Sequence, residues 1–145
     1  MKPVINVGII GFGVVGCGVY KILEDNARTI EQRVGSKVVI KQIVDNDLDR
    51  PRPIDYDKSI ATTNVEELVN NPEIDIVAEL VGGISPSYDY MMTALKNGKH
   101  LVTANKELIA KEGHSLLIEA GRRKQDLYFE ASVGGGIPII LPIKT

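Results

Sequence analysis

Short apolar runs alternate along the chain with segments in which apolar residues recur every three or four positions. Val4 to Ile10 is rich in valine and isoleucine, which predicts a strand buried on both faces of a parallel sheet. From Gly13 the apolar positions take helical spacing, and this spacing continues to roughly Arg33. The chain is therefore predicted to open with a strand, a glycine turn and a helix.

The same alternation continues to the end of the sequence. Further strands are predicted at Lys37 to Val44, Ser59 to Thr62, Ile74 to Val81, His100 to Thr103 and Leu127 to Glu130. Further helices are predicted at Val65 to Asn70, from about Pro86 to the stop at Asn97-Gly98, and from Asn105 to Lys124, where Gly113 leaves a break open. Strands that alternate with helices predict an α/β fold with a Rossmann-type doubly wound parallel sheet.

Composition and charge exclude several classes of protein. The chain has 145 residues, 43% of them hydrophobic and 25% charged, which is typical of one folded domain. Its net charge is -2, and it has no runs of like charge. This predicts no basic surface for nucleic acid or an anionic membrane, so we expect neither partner. Cys17 is the only cysteine, so no disulfide can form within the chain, and we expect a reducing cytoplasm.

Residues 11–16 read GFGVVG and match the pattern G-x-G-x-x-G between a buried strand and an amphipathic helix. Gly11 permits the tight turn, Gly13 lets a pyrophosphate approach, and Gly16 lets the helix lie close to the strand. The amides at the helix start would then bind the diphosphate. Apolar residues fill the positions between these glycines: Phe12, Val14 and Val15. The alternative is a glycine-rich turn that binds nothing.

Asp45 follows the second predicted strand, where an acidic residue accepts hydrogen bonds from the adenosine ribose of NAD. It lies 34 positions after Gly11 rather than about 20, so the first helix must be long or be followed by a loop near Gly35. Alternatively, Arg50 and Arg52 would bind the 2′-phosphate of NADP, so the sequence does not decide between NAD and NADP. A solvated turn around Asp45 explains the same acidic residues without a ligand.

Two further segments follow predicted strands, at the sheet edge where doubly wound folds bind their ligands. Gly82 and Gly83 come after the fourth strand and would let a cofactor lie close, although a strand-to-helix turn needs the same flexibility. The second segment follows the fifth strand and consists of Thr103, Ala104, Asn105 and Lys106.

Three segments together resemble the homoserine dehydrogenases. They are Val7 to Gly16, Val102 to Lys106, and the sequence EASVGGGIP from Glu130 to Pro138, in that order and with similar spacing. The resemblance implies an NAD(P)-binding domain over residues 1–130 and, over residues 131–145, a glycine-rich hinge that begins a catalytic domain. We therefore expect a chain truncated before the substrate domain.

The resemblance also implies an activity. Family members interconvert homoserine and aspartate 4-semialdehyde by moving a hydride to or from NAD or NADP, and we expect a homo-oligomer at full length. Residues 103–106 would border the nicotinamide ribose, and Lys106 would assist the homoserine hydroxyl, although a surface lysine with neither role fits its position. Four residues match positions that surround a sodium-like ion, or form a hinge: Glu130, Val133, Gly135 and Ile137.

Two other functions are compatible with the glycine motif. One is a different two-domain dehydrogenase or reductase that acts on a semialdehyde or a sugar, and the segments at Asn105-Lys106 and Glu130 argue against it. The other is a non-catalytic redox sensor that binds NAD(H) and controls a partner, but no basic recognition segment supports it.

Overall fold

The computed structural model describes residues 1–133 and residue 143. Within that part, six strands form one parallel sheet. The strands are β1 (Val4–Ile10), β2 (Lys37–Val44), β3 (Ala61–Thr62), β4 (Ile76–Glu79), β5 (His100–Thr103) and β6 (Leu127–Tyr128). Their order in the sheet, β3-β2-β1-β4-β5-β6, is that of the dinucleotide-binding fold. The prediction of a doubly wound parallel sheet is confirmed.

Helices connect these strands. They are α1 (Val14–Asp25), α2 (Ala27–Val34), α3 (Val65–Val69), α4 (Ser87–Lys96), α5 (Lys106–Arg123) and α6 (Glu130–Val133), with a 3-10 turn (Lys58–Ile60) just before β3. No helix in residues 1–133 or at residue 143 combines the length and apolarity needed to cross a bilayer.

Apolar side chains are buried on both faces of the sheet. On β4, Val77 belongs to a core cluster with Met91 of α4 and Leu116 of α5, whereas the neighbouring Ala78 belongs to a second cluster with Cys17 of α1. Because successive side chains of a strand point to opposite faces, each central strand needs apolar residues at nearly every position. This requirement explains the uninterrupted apolar runs of the sequence.

The first predicted helix is two helices in the structure. The chain bends at Asn26, whose side-chain amide donates to the Ile22 carbonyl oxygen at 2.9 Å, and α2 follows directly. Gly35, with φ of 81°, ends α2 in the left-handed conformation. The second helix and this turn occupy the additional sequence between Gly11 and Asp45.

Other predicted elements differ from the observed ones. β3 begins at Ala61 rather than Ser59, because the preceding residues form the 3-10 turn. β4 is shorter at both ends than predicted, and α5 runs without a break through Gly113, which is buried. β6 ends at Tyr128, so Glu130 begins the short helix α6 rather than ending a strand. The Phe129 carbonyl oxygen accepts hydrogen bonds from both the amide and the hydroxyl of Ser132, and these bonds stabilise the turn at the start of α6.

Candidate functional site

The carboxyl ends of β1, β2, β4 and β5 meet at one edge of the sheet and carry most of the predicted site residues. We call residues 10–16 together with 45–52 the glycine-loop half of this edge. Residues 79–87 together with 103–106 are the Glu79 half. The two halves lie side by side because β1 pairs with β4 in the sheet.

The glycines of the glycine-loop half meet separate steric demands. Gly11 has φ of 97°, and its amide donates to the Val44 carbonyl oxygen at 2.8 Å. A Cβ added to Gly16 would lie 2.2 Å from the Gly11 carbonyl oxygen, so only glycine allows α1 to approach the loop this closely. A Cβ added to Gly13 would meet no atom within 4 Å. Gly13 therefore faces open space, as a position reserved for a ligand must.

Gly13 also caps the start of α1, where Val14 and Val15 are 89% and 55% exposed. The first amides of a helix have no partner inside it and carry the positive end of its dipole, so they suit an anion. An adjacent cleft of about 370 Å³ is lined by residues of both halves, among them Gly11, Gly13, Asp45, Arg50 and Val81. The residues present thus fit the diphosphate of a dinucleotide.

Phe12, one of the apolar residues between the motif glycines, belongs to the core beneath the loop. Its side chain is fully buried, and its ring makes edge contacts with Tyr20 and Tyr56, with centroid distances of 5.8 and 4.8 Å. Tyr56 belongs to the segment between β2 and the 3-10 turn. Phe12 therefore anchors that segment beneath the glycine loop, and only its backbone belongs to the ligand-facing turn.

Asp45 connects the loop after β2 to the glycine loop. Its Oδ2 accepts a hydrogen bond from the Phe12 amide at 2.7 Å, and its Oδ1 accepts one from the Asp47 amide at 2.9 Å. Partial burial would raise the pKa of the Asp45 carboxyl, but these two hydrogen bonds and the positive charge of Arg52 outweigh it and hold the pKa below its ordinary value. Asp45 is thus more than a member of a solvated turn, and its ribose contact stays a prediction.

The two arginines considered for a 2′-phosphate lie in different surroundings. The side chain of Arg52 is only 3% exposed; its Nη2 lies 3.5 Å from Asp45 Oδ1, and its guanidinium lies over the Phe12 ring. Arg50 is exposed and lines the cleft. Of the two, Arg50 is therefore the one placed to reach a phosphate, and Arg52 is a buried part of the loop.

In the Glu79 half, a buried carboxylate binds two neighbouring turns. Glu79 Oε1 accepts hydrogen bonds from the amides of Val81 and Gly82 at 2.9 and 3.2 Å, and Oε2 accepts one from the Thr103 hydroxyl at 2.8 Å. Ser87 Oγ lies 3.3 Å from Oε1. Glu79 itself has no exposed surface. Because a buried carboxylate is costly unless all its contacts are favourable, this arrangement points to a specific role.

Sequence reasoning missed Glu79 and Ser87. A signal was present for Glu79, because it is the one charged residue between Ile76 and Val81, in an otherwise apolar strand that reaches the ligand edge. Ser87 gave no such signal, since a serine at the start of a helix is common without any ligand.

The segment after β5 completes the Glu79 half. The Asn105 amide donates to the Thr103 hydroxyl oxygen at 3.0 Å, and the Asn105 side chain donates to the Gly83 carbonyl oxygen at 2.5 Å. Asn105 also caps α5 by accepting from the Leu108 amide. The structure thus brings Gly82, Gly83, Thr103, Ala104 and Asn105 together, with Lys106 exposed on the first turn of α5.

Comparison with known proteins settles the family. Residues 11–130 match the profile of the family described as "Homoserine dehydrogenase, NAD binding domain". The chain belongs to this family.

Several homoserine dehydrogenases cover nearly the whole chain. The chain is 44% identical over 136 residues to the homoserine dehydrogenase of Bacillus subtilis and 42% identical over 145 residues to that of Pseudomonas aeruginosa. These matches cover 94% and 99% of the chain but 31% and 32% of the relatives. The chain therefore spans about a third of the length of these homoserine dehydrogenases.

Solved structures of homoserine dehydrogenases have the same fold. The enzyme of Staphylococcus aureus at pH 6.0 superposes with a TM-score of 0.88 at 41% identity, covering 96% of this chain and 36% of the other. The enzyme of Thiobacillus denitrificans gives a TM-score of 0.88 at 39% identity, covering 97% of this chain and 32% of the other. The match confirms the Rossmann-type fold predicted from the sequence.

The residues predicted to hold a cation are only partly described. Glu130 is half-buried at the start of α6 and Val133 is exposed at its end, whereas Gly135 and Ile137 lie outside the described residues. Within residues 1–133 and 143, no group of three or more His, Cys, Asp or Glu side chains could hold a metal ion. A site made of one carboxylate and several backbone carbonyls is a different kind of site, so this prediction stays untested.

Proposed function

We propose that this chain is the dinucleotide-binding part of an NAD(P)-dependent homoserine dehydrogenase that interconverts L-homoserine and L-aspartate 4-semialdehyde. The observation that carries the proposal is the open space at Gly13, in front of the first amides of α1 and beside the cleft. Membership of the family supplies the substrate class. The reaction belongs to the aspartate-derived route to threonine, methionine and isoleucine.

The chemistry divides between this chain and a second domain. When bound, the nicotinamide supplies or accepts the hydride. The residues of this chain bind the dinucleotide: the amides of α1 hold the diphosphate, the glycine-loop half receives the adenosine, and the Glu79 half borders the nicotinamide ribose. Residues 1–130 form the nucleotide-binding domain in this proposal, and residues 131–145 form the hinge to the substrate domain.

Replacing Gly13 with valine tests the binding site. The added side chain would occupy the space that the pyrophosphate needs, so we expect affinity for NAD to fall about 100-fold or more with little change in melting temperature. Gly121→Val is the matched control, because a Cβ there also meets no atom within 4 Å but lies near the end of α5. Unchanged affinity of Gly13→Val in calorimetry would refute the proposed site.

We propose that Lys106 assists the homoserine hydroxyl, or polarises the semialdehyde oxygen in the reverse direction. It lies on the first turn of α5, where a cation faces the positive end of the helix dipole and gains no stability from it. Its exposure in this chain leaves it free to meet a substrate held by a second domain.

Lys106→Ala in the full-length enzyme tests this role. We expect kcat to fall about 100-fold with a modest change in dinucleotide affinity, as for an interaction that is strongest in the transition state. Lys111→Ala is the control, because Lys111 is exposed one turn further along the same helix and pairs with Glu107. A kcat close to that of the unmodified enzyme would remove Lys106 from the mechanism.

A further proposal concerns a monovalent cation near Glu130. Glu130 offers a carboxylate oxygen to a sodium-like ion, with carbonyls of Val133, Gly135 and Ile137 as the other ligands. A rise in melting temperature that sodium causes and choline does not, and that Glu130→Gln abolishes, would support this site.

We further propose that the full-length protein is a cytoplasmic enzyme that forms homo-oligomers. Sedimentation of the full-length protein would test the oligomeric state.

A further inference from the structure

Glu79 occupies a position where an apolar residue would serve the fold at lower cost. The strand around it is apolar and buried on both faces, and Glu79 itself has no exposed surface. Its carboxylate accepts hydrogen bonds from the amides of Val81 and Gly82 on one side and from the Thr103 hydroxyl on the other. Burying a charge among apolar residues is unfavourable unless such bonds compensate it, so these contacts are what keeps Glu79 there.

The contacts form a closed connection between the two turns of this half. Thr103 accepts a hydrogen bond from the Asn105 amide, and the Asn105 side chain donates to the Gly83 carbonyl oxygen in the first turn. Each turn is therefore tied to the other twice, once through Glu79 and once through Asn105. Lys106 follows Asn105 directly, so its backbone position depends on the same connection.

The first turn depends on hydrogen bonds for its conformation. Among the described residues, Ser87 also reaches this turn, since its hydroxyl lies 3.5 Å from the Gly82 carbonyl oxygen. The Thr103–Lys106 segment is held in addition by β5 and by the Asn105 cap of α5. Gly82 and Gly83 have φ of 88° and 77°, and a Cβ at either would meet no atom within 4 Å, so no close neighbour occupies the side-chain position of either glycine. The exposed backbone of these glycines is free to move unless hydrogen bonds hold it. The buried carboxylate supplies those bonds from beneath.

We propose that Glu79 is a positioning residue that holds the Gly82-Gly83 turn and the Thr103–Lys106 segment at the separation needed by the nicotinamide half of the dinucleotide. The inference rests on the proposed function and deepens it. Glu79 touches neither cofactor nor substrate and acts through Gly82, Thr103 and Asn105. Its effect is therefore confined to the nicotinamide end of the site.

ADP-ribose separates positioning from general stability, because it contains the adenosine and diphosphate but no nicotinamide. Two variants of the full-length protein break the connection: Glu79→Gln places an amide donor against other donors, and Thr103→Val removes the bridging hydroxyl at nearly constant volume. We expect each to weaken NAD binding about 10-fold and to lower kcat by a similar factor. ADP-ribose affinity should change less than about 2-fold.

Two further variants serve as controls. Thr103→Ser keeps the hydroxyl and should recover most of the loss seen in Thr103→Val. Ser36→Ala removes another buried hydroxyl hydrogen bond, from Ser36 to the Lys2 carbonyl oxygen before β2, at the opposite edge of the sheet. It should leave the affinities for NAD and for ADP-ribose unchanged.

Each outcome decides the proposal. A parallel loss of affinity for both ligands, or no loss of either, would overturn it in favour of a purely structural carboxylate. If Glu79→Gln fails to fold, the pair Thr103→Val and Thr103→Ser gives the decision on the same two affinities. An unmodified protein that binds neither ligand would instead refute the proposed function, on which this inference depends.

Discussion

In the glycine-loop half of the site, close backbone contact sets the position of the helix and the Asp45 carboxylate adds one hydrogen bond to the loop. In the Glu79 half, side-chain hydrogen bonds hold both segments. In the first, the contact between Gly16 and the Gly11 carbonyl fixes how closely helix α1 approaches the loop. In the second, a buried carboxylate and the Asn105 side chain hold turns at whose glycines an added Cβ would meet no atom within 4 Å. The comparison shows that one ligand edge can combine a local motif with a network assembled from distant segments.

Gly16→Ala should give the largest effect of the substitutions that test this difference. The new Cβ would lie 2.2 Å from a backbone oxygen, so α1 must move away from the loop, at a cost of about 3 kcal/mol in the free energy of unfolding. Chemical denaturation measures this loss, and dinucleotide affinity should fall with it. Gly18→Ala is the matched control in the same helix, where a Cβ meets no atom and alanine should stabilise by up to about 1 kcal/mol.

Gly82→Ala is the corresponding substitution in the Glu79 half, and its effect is measured as the same free energy of unfolding. Its φ of 88° makes alanine unfavourable by about 1 kcal/mol, but no neighbour opposes the added Cβ. The loss should therefore be about a third of that at Gly16. Equal losses at the two positions would contradict the division between a half fixed by close contact and a half fixed by hydrogen bonds.

The same division explains what the sequence revealed. The glycine loop is contiguous, and its strand, turn and helix follow local rules, so β1, β2, the loop and the start of α1 were predicted correctly. The pairing of Glu79 with Thr103 and of Asn105 with Gly83 joins residues 22 to 24 positions apart, and no short-range pattern encodes it. The contact between Phe12 and Tyr56 was not predicted for the same reason, since Tyr56 comes from a distant loop.

The choice between NAD and NADP depends on charged side chains of the glycine-loop half. The Asp45 carboxylate would repel a 2′-phosphate and favours NAD, although the neighbouring Arg52 reduces that repulsion. Arg50, exposed at the cleft, is the residue placed to attract the phosphate. Arg50→Ala should therefore weaken NADP binding about 10-fold and NAD binding less than about 2-fold. Arg28→Ala, on the exposed surface of α2, is the control, and equal losses for both coenzymes would contradict the assignment.

The smallest predicted effect is a loss of stability at low pH, caused by protonation of the Asp45 carboxylate that binds the glycine loop. Burial alone would raise the pKa of Asp45, but hydrogen bonds from the amides of Asp47 and Phe12, together with the charge of Arg52, lower it below its ordinary value. A lowered carboxyl pKa contributes stability that is complete above the ordinary value and is lost as the pH falls through the folded value. The loss should be modest, because burial of the carboxyl offsets part of the stabilisation that the hydrogen bonds and Arg52 give to its charged form.

The Phe12 amide reports this titration directly, because it donates to Asp45 Oδ2 at 2.7 Å. Its proton chemical shift in NMR spectra recorded between about pH 6 and pH 2 should follow the carboxyl, with a midpoint below the pKa of an ordinary aspartate. Asp45→Asn should remove the transition, since a neutral amide cannot titrate, and the Gly98 amide, which donates to the backbone carbonyl of Leu95, should show none. A midpoint at or above that of an ordinary aspartate, or a transition that survives in Asp45→Asn, would mean that this carboxylate does not hold the glycine loop in solution.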